Sequence, residues 1–220
     1  RIAWRYDLLN RLMTFGRDRA WRTEAISHLQ PAPGQVILDL GSGTGDLALQ
    51  LLETTPGVDV IAADLTLEMM EIGRKRPNGS RVLWVVADAG HLPFPTEVFA
   101  GVTSGYLLRN VPDVDAALAE HQRVTRPGGR IVSLDTTPPG QNLLLPFIRF
   151  YLKYIIPLLG KLVAGDSEAY TYLPETTTRF LTAEVLAERI RLAGYTVEGF
   201  VRRMAGTMAI HWGYKRDPGS

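Results

Sequence analysis

The chain has 220 residues, 45% apolar and 21% charged, and its 24 Lys and Arg against 23 Asp and Glu give a formal net charge of +1. This composition predicts one folded domain with a sizeable core and excludes a disordered chain. The balanced charge argues against a broad attraction to nucleic acid, and the absence of cysteine excludes disulfides, iron–sulfur clusters and thiol nucleophiles.

The first 33 residues are expected to form a helical arm. Aromatic and aliphatic residues recur three or four apart from Trp4 to His28, which predicts two short helices broken near residues 14–16. The first seven residues carry alternating charges and no apolar core, unlike a secretory signal peptide, although the missing initiator Met leaves a removed leader open. We therefore expect a cytoplasmic protein.

Strands and helices alternate after this arm, which predicts an α/β fold with a mostly parallel sheet covered on both faces. The predicted strands are the runs 36–40, 58–63, 82–87, 99–103, 130–134, 197–201 and 207–212. The predicted helices begin at position 46 or cover residues 66–75, 113–125 and 183–193. The last two runs predict an antiparallel hairpin at the sheet edge, within a single domain spanning residues 1–220.

The strongest local signal is a strand-like run followed by three alternating glycines, Gly41, Gly43 and Gly45, and then by a helix. Such glycines permit positive φ and let a ligand approach the backbone, while the helix start offers free N–H groups. A dinucleotide fingerprint would need a third glycine where Asp46 stands, and no Lys follows to make a phosphate-binding P-loop. The loop therefore favours another ligand.

Acidic residues stand at the predicted carboxyl ends of three successive strands. Asp39 and Asp46 bracket the glycine loop, which suits a ligand carrying ammonium and sulfonium charges. Asp64, at the end of the second strand, can accept both ribose hydroxyl protons. Asp88 and Ala89 follow the third strand, where an adenine edge is expected. Together these residues favour S-adenosylmethionine as the cofactor.

The sequence DLGSGTG at 39–45 resembles the first motif of class I S-adenosylmethionine-dependent methyltransferases. The whole chain is similar to the ubiquinone/menaquinone biosynthesis C-methyltransferase family, at YDLLN (6–10), ADAGHLPFP (87–95), LRNV (108–111), RPGGR (126–130) and HWGYK (211–215). The resemblance implies a Rossmann-like class I fold and cofactor contacts at five positions, namely Thr44, Asp64, Asp88, Ala89 and Gly105. With the loop residues, the predicted cofactor site is Asp39, Gly41, Gly43, Thr44, Gly45, Asp64, Asp88, Ala89 and Gly105.

The chain departs from the usual family pattern mainly on the acceptor side. The family usually has Asn, Ser, Phe-Gly and Glu-Phe-Ser where this chain has Asp88, Gly105, Tyr106-Leu107 and Asp135-Thr136-Thr137. Asp88 can still accept from an adenine amino group, so we expect the cofactor to be retained. The change at positions 106 and 107 motivates a different acceptor as an alternative.

The resemblance also places Arg109, Asn110 and Tyr6 at the acceptor as candidate catalytic residues. Methylation of a quinol ring carbon requires weakening of a phenol O–H whose pKa is near 10. Arg109 stays protonated, so we expect it to hold a fixed charge against the developing phenolate while Asn110 orients the ring oxygen. A water, Tyr6, His91 or His211 would accept the proton or orient the ring, and a purely structural loop is the alternative. No histidine spacing predicts a bound metal.

Residues 143–163 are the most apolar stretch and belong to a predicted helical insertion over 138–180. Arg149, Lys153, Lys161 and two prolines interrupt the stretch, so we do not expect it to span a membrane. If the segment is helical, the three cations share one stripe, as in a helix lying on an anionic membrane or closing over a lipid. A buried lid helix and a dimer contact are the alternatives.

The favoured function is S-adenosylmethionine-dependent C-methylation of a polyprenylated quinol precursor of menaquinone or ubiquinone, with demethylmenaquinol as the favoured acceptor. The expected partner is this lipophilic quinol, with no nucleic acid. A peripheral contact with the inner face of the membrane and a homodimer are further hypotheses. The alternatives are a methyltransferase for another lipophilic phenol, a sterol or a phospholipid amine, and a non-catalytic S-adenosylmethionine-binding scaffold subunit.

Overall fold

Seven strands form one sheet in the part of the chain that the computed structural model describes, residues 16–139 and 180–217. The strands are β1 (Val36–Leu40), β2 (Asp59–Asp64), β3 (Leu83–Val86), β4 (Phe99–Gly105), β5 (Thr125–Thr136), β6 (Tyr195–Arg203) and β7 (Met208–Lys215). Their order across the sheet is β3-β2-β1-β4-β5-β7-β6. Strands β1 to β5 are parallel, and β7 runs antiparallel to both β5 and β6. The predicted mostly parallel sheet with a C-terminal hairpin is therefore confirmed.

Five α-helices accompany the sheet within the same described ranges. They are α1 (Asp18–Leu29), α2 (Asp46–Thr54), α3 (Leu67–Arg74), α4 (Val114–Val124) and α5 (Ala183–Leu192), and short 3-10 turns cover Gly79–Arg81 and Met204–Gly206. Helix α4 begins where the sequence predicts, because the Asp113 carboxylate accepts hydrogen bonds from the N–H groups of Asp115 and Ala116. An N-cap of this kind satisfies donors that would otherwise lack partners.

The core lies on both faces of the sheet because successive side chains of a strand point to opposite sides. In β1, Ile37 packs into a cluster with residues of α1 and α2, whereas Leu38 and Leu40 pack with Phe99 and Val102 on the other face. Helices α4 and α5 cover that second face near β5. The apolar residues of β1, interrupted only by Asp39, are thus explained by a strand that is buried on both sides.

Strand β5 begins earlier than the sequence predicts. Its pairing with β4 starts at Thr125, opposite Phe99, and resumes at Arg130, opposite Gly101, so the intervening residues form a bulge. Gly128 inside this bulge has a φ of +71°. Residues Pro127 to Gly129 therefore interrupt the ladder without ending the strand, a β-bulge that a turn-like sequence does not distinguish from a true turn.

Two predicted elements lie partly outside the described residues. The second helix of the N-terminal arm is α1, but the first falls within residues 1–15, and most of the insertion expected at 138–180 falls within residues 140–179. The proposed division of the chain at these points stays a prediction. Among the described helices, none has the length and apolar content needed to cross a membrane.

Two buried histidines make the stability of this fold sensitive to acid. His121 Nδ1 bonds to the Ala117 carbonyl and His211 Nε2 to the Ala183 carbonyl, while the second ring nitrogen of each is buried and has no partner among the residues that the structure describes. Burial therefore lowers the pKa of each ring from 6.5 to about 4. The unfolded chain binds these protons more tightly, so stability should fall as the pH drops from about 6.5 towards 4.

We expect the free energy of unfolding to fall between pH 7 and pH 5 by about 1–2 kcal/mol for each of these histidines. Urea unfolding at the two pH values measures this difference, and His121→Gln should reduce it by one histidine's share. His91, whose side chain is 87% exposed, provides the matched control His91→Gln, which should leave the difference unchanged. An identical pH dependence in wild type and His121→Gln would contradict the prediction.

Candidate cofactor and acceptor site

The strand order places a crevice at the carboxyl ends of β1 and β4. From β1 the chain continues outward to β2 and β3, whereas β4 is followed by β5 on the opposite side. In open α/β sheets, ligands bind where the order reverses in this way, because the connections leave the two strand ends in opposite directions. The glycine loop follows β1, and Gly105 ends β4, so both predicted elements meet at this point.

The glycine loop adopts a conformation that favours residues without a Cβ. Gly41, Gly43 and Gly45 have φ angles of +63°, +56° and +81°. A Cβ on Gly45 would lie 2.4 Å from Cη2 of Trp84, and a Cβ on Gly43 would lie 3.1 Å from Cε of Met69. The predicted glycines are therefore required both by the backbone and by side chains packed against the loop.

Asp64 lies directly against this loop, as the sequence predicts. One carboxylate oxygen accepts the N–H of Gly43 at 2.8 Å, and the other accepts the N–H of Thr66 at 2.8 Å. Since a carboxylate offers about four acceptor positions, two remain for hydroxyl groups. The arrangement can thus hold the loop and still accept from a ribose.

The charges of Asp39 and Asp46 are engaged differently from what the sequence suggests. Asp46 pairs with Arg22 at 2.8 Å and with Arg76 at 2.6 Å. Asp39 is 1% exposed, accepts the N–H of Ala48 in the first turn of α2, and has a pKa raised to about 8 by burial. The expected attraction of a cationic ligand to this pair stays a prediction: in the structure Asp46 is paired with two arginines, and Asp39 accepts a hydrogen bond from the start of α2.

The remaining predicted cofactor residues lie along the same edge of the sheet. Thr44 is buried, and its hydroxyl oxygen accepts from Arg76. Asp88 follows β3 and is largely exposed, with one oxygen accepting the N–H of Gly90, and Ala89 is buried beside it. A Cβ on Gly105 would lie 3.8 Å from Cδ1 of Leu47, an ordinary van der Waals contact, and Gly105 is partly exposed.

The turn 106–110 brings the predicted acceptor residues to the other side of the crevice. Tyr106, at a φ of +59°, donates its N–H to the Leu134 carbonyl and accepts from Asn110 Nδ2 at its own carbonyl, both within 2.8 Å. Leu107 then lies against the glycine loop, since a Cβ on Gly41 would be 2.7 Å from Leu107 Cδ1. Cofactor loop and acceptor turn are therefore in direct contact.

Arg109 is held inside this turn by Asp135 at the end of β5. The Arg109 side chain is only 6% exposed, and its Nε lies 3.8 Å from Asp135 Oδ1. Its Cζ sits 5.3 Å from the centre of the Tyr106 ring, within range of a cation–π contact. Burial raises the pKa of Asp135, which the neighbouring guanidinium opposes.

Within the described part of the chain, several buried polar atoms at or just beyond the ends of β1, β4 and β5 have no hydrogen-bond partner. They are Ser42 Oγ, Tyr106 Oη, Arg109 Nε and Thr136 Oγ1. Burial also raises the pKa of Tyr106 to about 12, so its hydroxyl stays protonated. Buried polar groups are normally paired, so unpaired ones at the ends of three strands fit a site that is completed by a polar ligand.

The other candidate proton acceptors are placed differently. His211 is buried beneath α5 and bonds to a carbonyl there, and His91 is exposed beside Asp88. Tyr6 lies outside the described residues. Asn110 is exposed at the end of the turn, next to Arg109. Arg109 and Asn110 are therefore the predicted catalytic residues in the turn whose Leu107 contacts the glycine loop.

Asp135 is the functional candidate that sequence reasoning missed. A signal was present, because Asp135 ends a buried strand in the same way as Asp39, Asp64 and Asp88 end or follow theirs. Its contact with Arg109 joins residues 26 positions apart, which only the pairing of β4 with β5 brings together.

Comparison with known proteins agrees with this geometry. The chain matches the model of the ubiE/COQ5 methyltransferase family over residues 1–215. It is 47% identical to the ubiquinone/menaquinone biosynthesis C-methyltransferase UbiE of Desulfotalea psychrophila, covering 97% of this chain and 87% of that protein. It is 43% identical to the demethylmenaquinone methyltransferase of Thermus thermophilus, covering 96% of this chain and 97% of that protein.

Solved structures share the fold at low identity. A putative methyltransferase in complex with the Trm112 activator of Haloferax volcanii has a TM-score of 0.68 at 19% identity, covering 98% of this chain and 97% of that one. Phosphoethanolamine N-methyltransferase 2 of Haemonchus contortus with bound S-adenosyl-L-methionine also has a TM-score of 0.68, at 16% identity, covering 90% of this chain and 53% of that one. The predicted class I fold is thus confirmed, and the chain belongs to the ubiE/COQ5 family of methyltransferases, which use S-adenosylmethionine.

Proposed function

We propose that this protein transfers a methyl group from S-adenosylmethionine to a ring carbon of a prenylated quinol, with demethylmenaquinol as the acceptor. The observation that carries the proposal is the contact between Leu107 and Gly41, because it sets the turn bearing Arg109 and Asn110 against the cofactor loop. Two of the relatives reported above are named for demethylmenaquinone or for ubiquinone and menaquinone biosynthesis, which supports the choice of acceptor.

The residues of the crevice fit this cofactor. Asp64 keeps two acceptor positions for ribose hydroxyls, and the partly exposed Gly105, at the end of β4, would lie beside the cofactor. Asp88 and Ala89, at the far side, would receive the adenine. When bound, S-adenosylmethionine supplies an electrophilic methyl group on a sulfonium, so the protein has to align the acceptor and exclude water.

Arg109 would supply the charge that activates the acceptor. A guanidinium keeps its proton throughout the working pH range, so it stabilises a developing phenolate without taking a proton itself. Its low exposure strengthens the effect, since a charge acts more strongly where water is excluded. Asn110, one residue further along, would orient the ring oxygen, and a water would take up the phenol proton. The methyl–sulfur bond breaks as the bond to the ring carbon forms, and the hydrogen of that carbon is then lost to water as a proton, which restores the aromatic ring.

The prenyl tail of the acceptor needs an apolar binding surface in addition to the crevice. The apolar segment 143–163 and Tyr6 lie outside the described residues. We propose that this segment closes over the prenyl tail in a single methyltransferase domain. Contact with the inner face of a membrane, and a homodimer, stay as further hypotheses for a cytoplasmic protein.

Incubation with labelled S-adenosylmethionine and a panel of prenylated naphthoquinols and benzoquinols tests the proposed reaction. We expect label in the ring of demethylmenaquinol, with products identified by mass. Label found only in a sterol, a phospholipid amine or another phenol would show that this compound, and not demethylmenaquinol, is the acceptor. Absence of label in every acceptor, with normal cofactor binding, would instead support a non-catalytic scaffold.

Replacement of Arg109 should separate catalysis from cofactor binding. We expect Arg109→Ala to lower kcat by about 10²–10³-fold, the usual cost of removing a group that stabilises developing negative charge. The Kd for the cofactor, measured by calorimetry, should change by less than about 2-fold, because Arg109 lies in the acceptor turn. Arg189→Ala, at an exposed ion pair on α5, is the matched control. Weakened cofactor binding with normal turnover would overturn the assignment.

Replacement of Asp64 should have the opposite effect. Asp64→Asn removes a charged acceptor of ribose hydroxyls, a loss of about 1.5–3 kcal/mol, so the cofactor Kd should rise by about 10- to 100-fold. Asp59→Asn, at the exposed opposite end of the same strand, should leave the Kd unchanged. If Asp64→Asn binds the cofactor as tightly as wild type, Asp64 does not hold the ribose.

A further inference from the structure

We infer that Asp135 is a positioning residue for methyl transfer, which acts by fixing Arg109 and the turn that carries it. The inference rests on the proposed role of Arg109 and extends it to a residue on the neighbouring strand. Asp135 is 1% exposed at the end of β5, opposite Ala209 of β7, so its carboxylate has little contact with water. A buried carboxylate requires partners, and the acceptor turn supplies them.

The carboxylate is bound from two directions. Its Oδ2 accepts the backbone N–H of Arg109 at 3.2 Å, and its Oδ1 accepts the N–H of Thr136 at 2.7 Å. The Arg109 guanidinium then lies beside it, with Nε 3.8 Å from Oδ1. One side chain of β5 therefore holds the backbone of Arg109 by a hydrogen bond and faces its guanidinium as an ion pair, without a hydrogen bond to Nε.

Few other contacts of the turn fix the position of the Arg109 guanidinium. Tyr106 and Asn110 hold each other through a carbonyl–amide hydrogen bond, and Asn110 N–H bonds to the Leu107 carbonyl. These bonds close the turn but do not involve the Arg109 side chain. The ring of Tyr106 limits it on one side, and Asp135 supplies the only ion pair that Arg109 makes among the described residues.

The position of the carboxylate also orients the guanidinium. An Arg side chain has five N–H groups in a rigid fork, so fixing the Nε edge near Asp135 directs the remaining donors elsewhere. A guanidinium held in this way loses little conformational entropy when an oxygen of the methyl acceptor binds to it. Misplacement of a catalytic group by about 1 Å can cost about 10²-fold in rate, which sets the scale of the expected effect.

A double-mutant cycle tests whether Asp135 acts through Arg109. Asp135→Asn should lower kcat for the prenylated quinol by about 10²-fold in the wild-type background. The same substitution should lower kcat by less than about 2-fold in the Arg109→Ala background, where there is no guanidinium to position. An equal loss in both backgrounds would mean a purely structural role and would overturn the inference.

Matched variants test whether a lower kcat has a cause other than the loss of Arg109 positioning. Asp135→Glu keeps the charge, so it should recover part of kcat, and any remaining loss should again vanish in the Arg109→Ala background. If Asp135→Asn does not fold, Asp135→Glu replaces it in the double-mutant cycle with Arg109→Ala. Asp115→Asn, at the exposed pair with Arg189, is the control for removal of an Asp partner of an arginine, and it should leave kcat unchanged.

Nuclear magnetic resonance of the Arg109 Nε–H provides a readout that needs no acceptor. In the wild type this buried proton should exchange slowly with water, and in Asp135→Asn it should shift and exchange at least about 10-fold faster, with Asp135→Glu in between. An unchanged signal in Asp135→Asn would overturn the inference. If the wild type methylates no quinol, the proposed function fails, while this measurement still decides whether Asp135 positions Arg109.

Discussion

The reversal of strand order between β1 and β4 is the constraint on which the site depends. Because the chain leaves these neighbouring strands in opposite directions, their carboxyl ends form the place where open α/β sheets bind ligands. The loop 41–45 lines one side and the turn 106–110 the other, and they touch where Leu107 meets Gly41. A side chain at Gly41 would separate them, so this glycine serves the acceptor side as well as the cofactor side.

Ion pairs then fix each side of the crevice. Asp46, at the start of α2, is paired with Arg22 and Arg76, which ties the cofactor loop to α1 and to the chain beyond α3. Asp135 does the same for the acceptor turn through Arg109. Charges with low exposure are costly unless paired, so these contacts resist rearrangement. The two halves of the proposed reaction are therefore held by separate polar networks that meet through an apolar contact.

The sequence predicted much of this arrangement for identifiable reasons. The apolar run of β1 and the cap at Asp113 are local signals, and both are found where expected. Asp64 was placed at the loop because parallel strands end at one edge, and it bonds to Gly43 there. The ion pairs of Asp46 were not predicted, because its arginine partners lie about 24 and 30 positions away and leave no local pattern.

By itself, the sequence determined the succession of strands and helices along the chain, because it depends on periodicity. It also determined the glycine loop, which depends on the absence of a Cβ, and the family, which depends on short motifs. Only the tertiary structure decided which charges are free and which are paired. It set Leu107 against Gly41 and placed Asp135 beneath Arg109. The physical reason is that burial and ion pairing are properties of surfaces brought together from distant parts of the chain, so no local stretch of sequence encodes them.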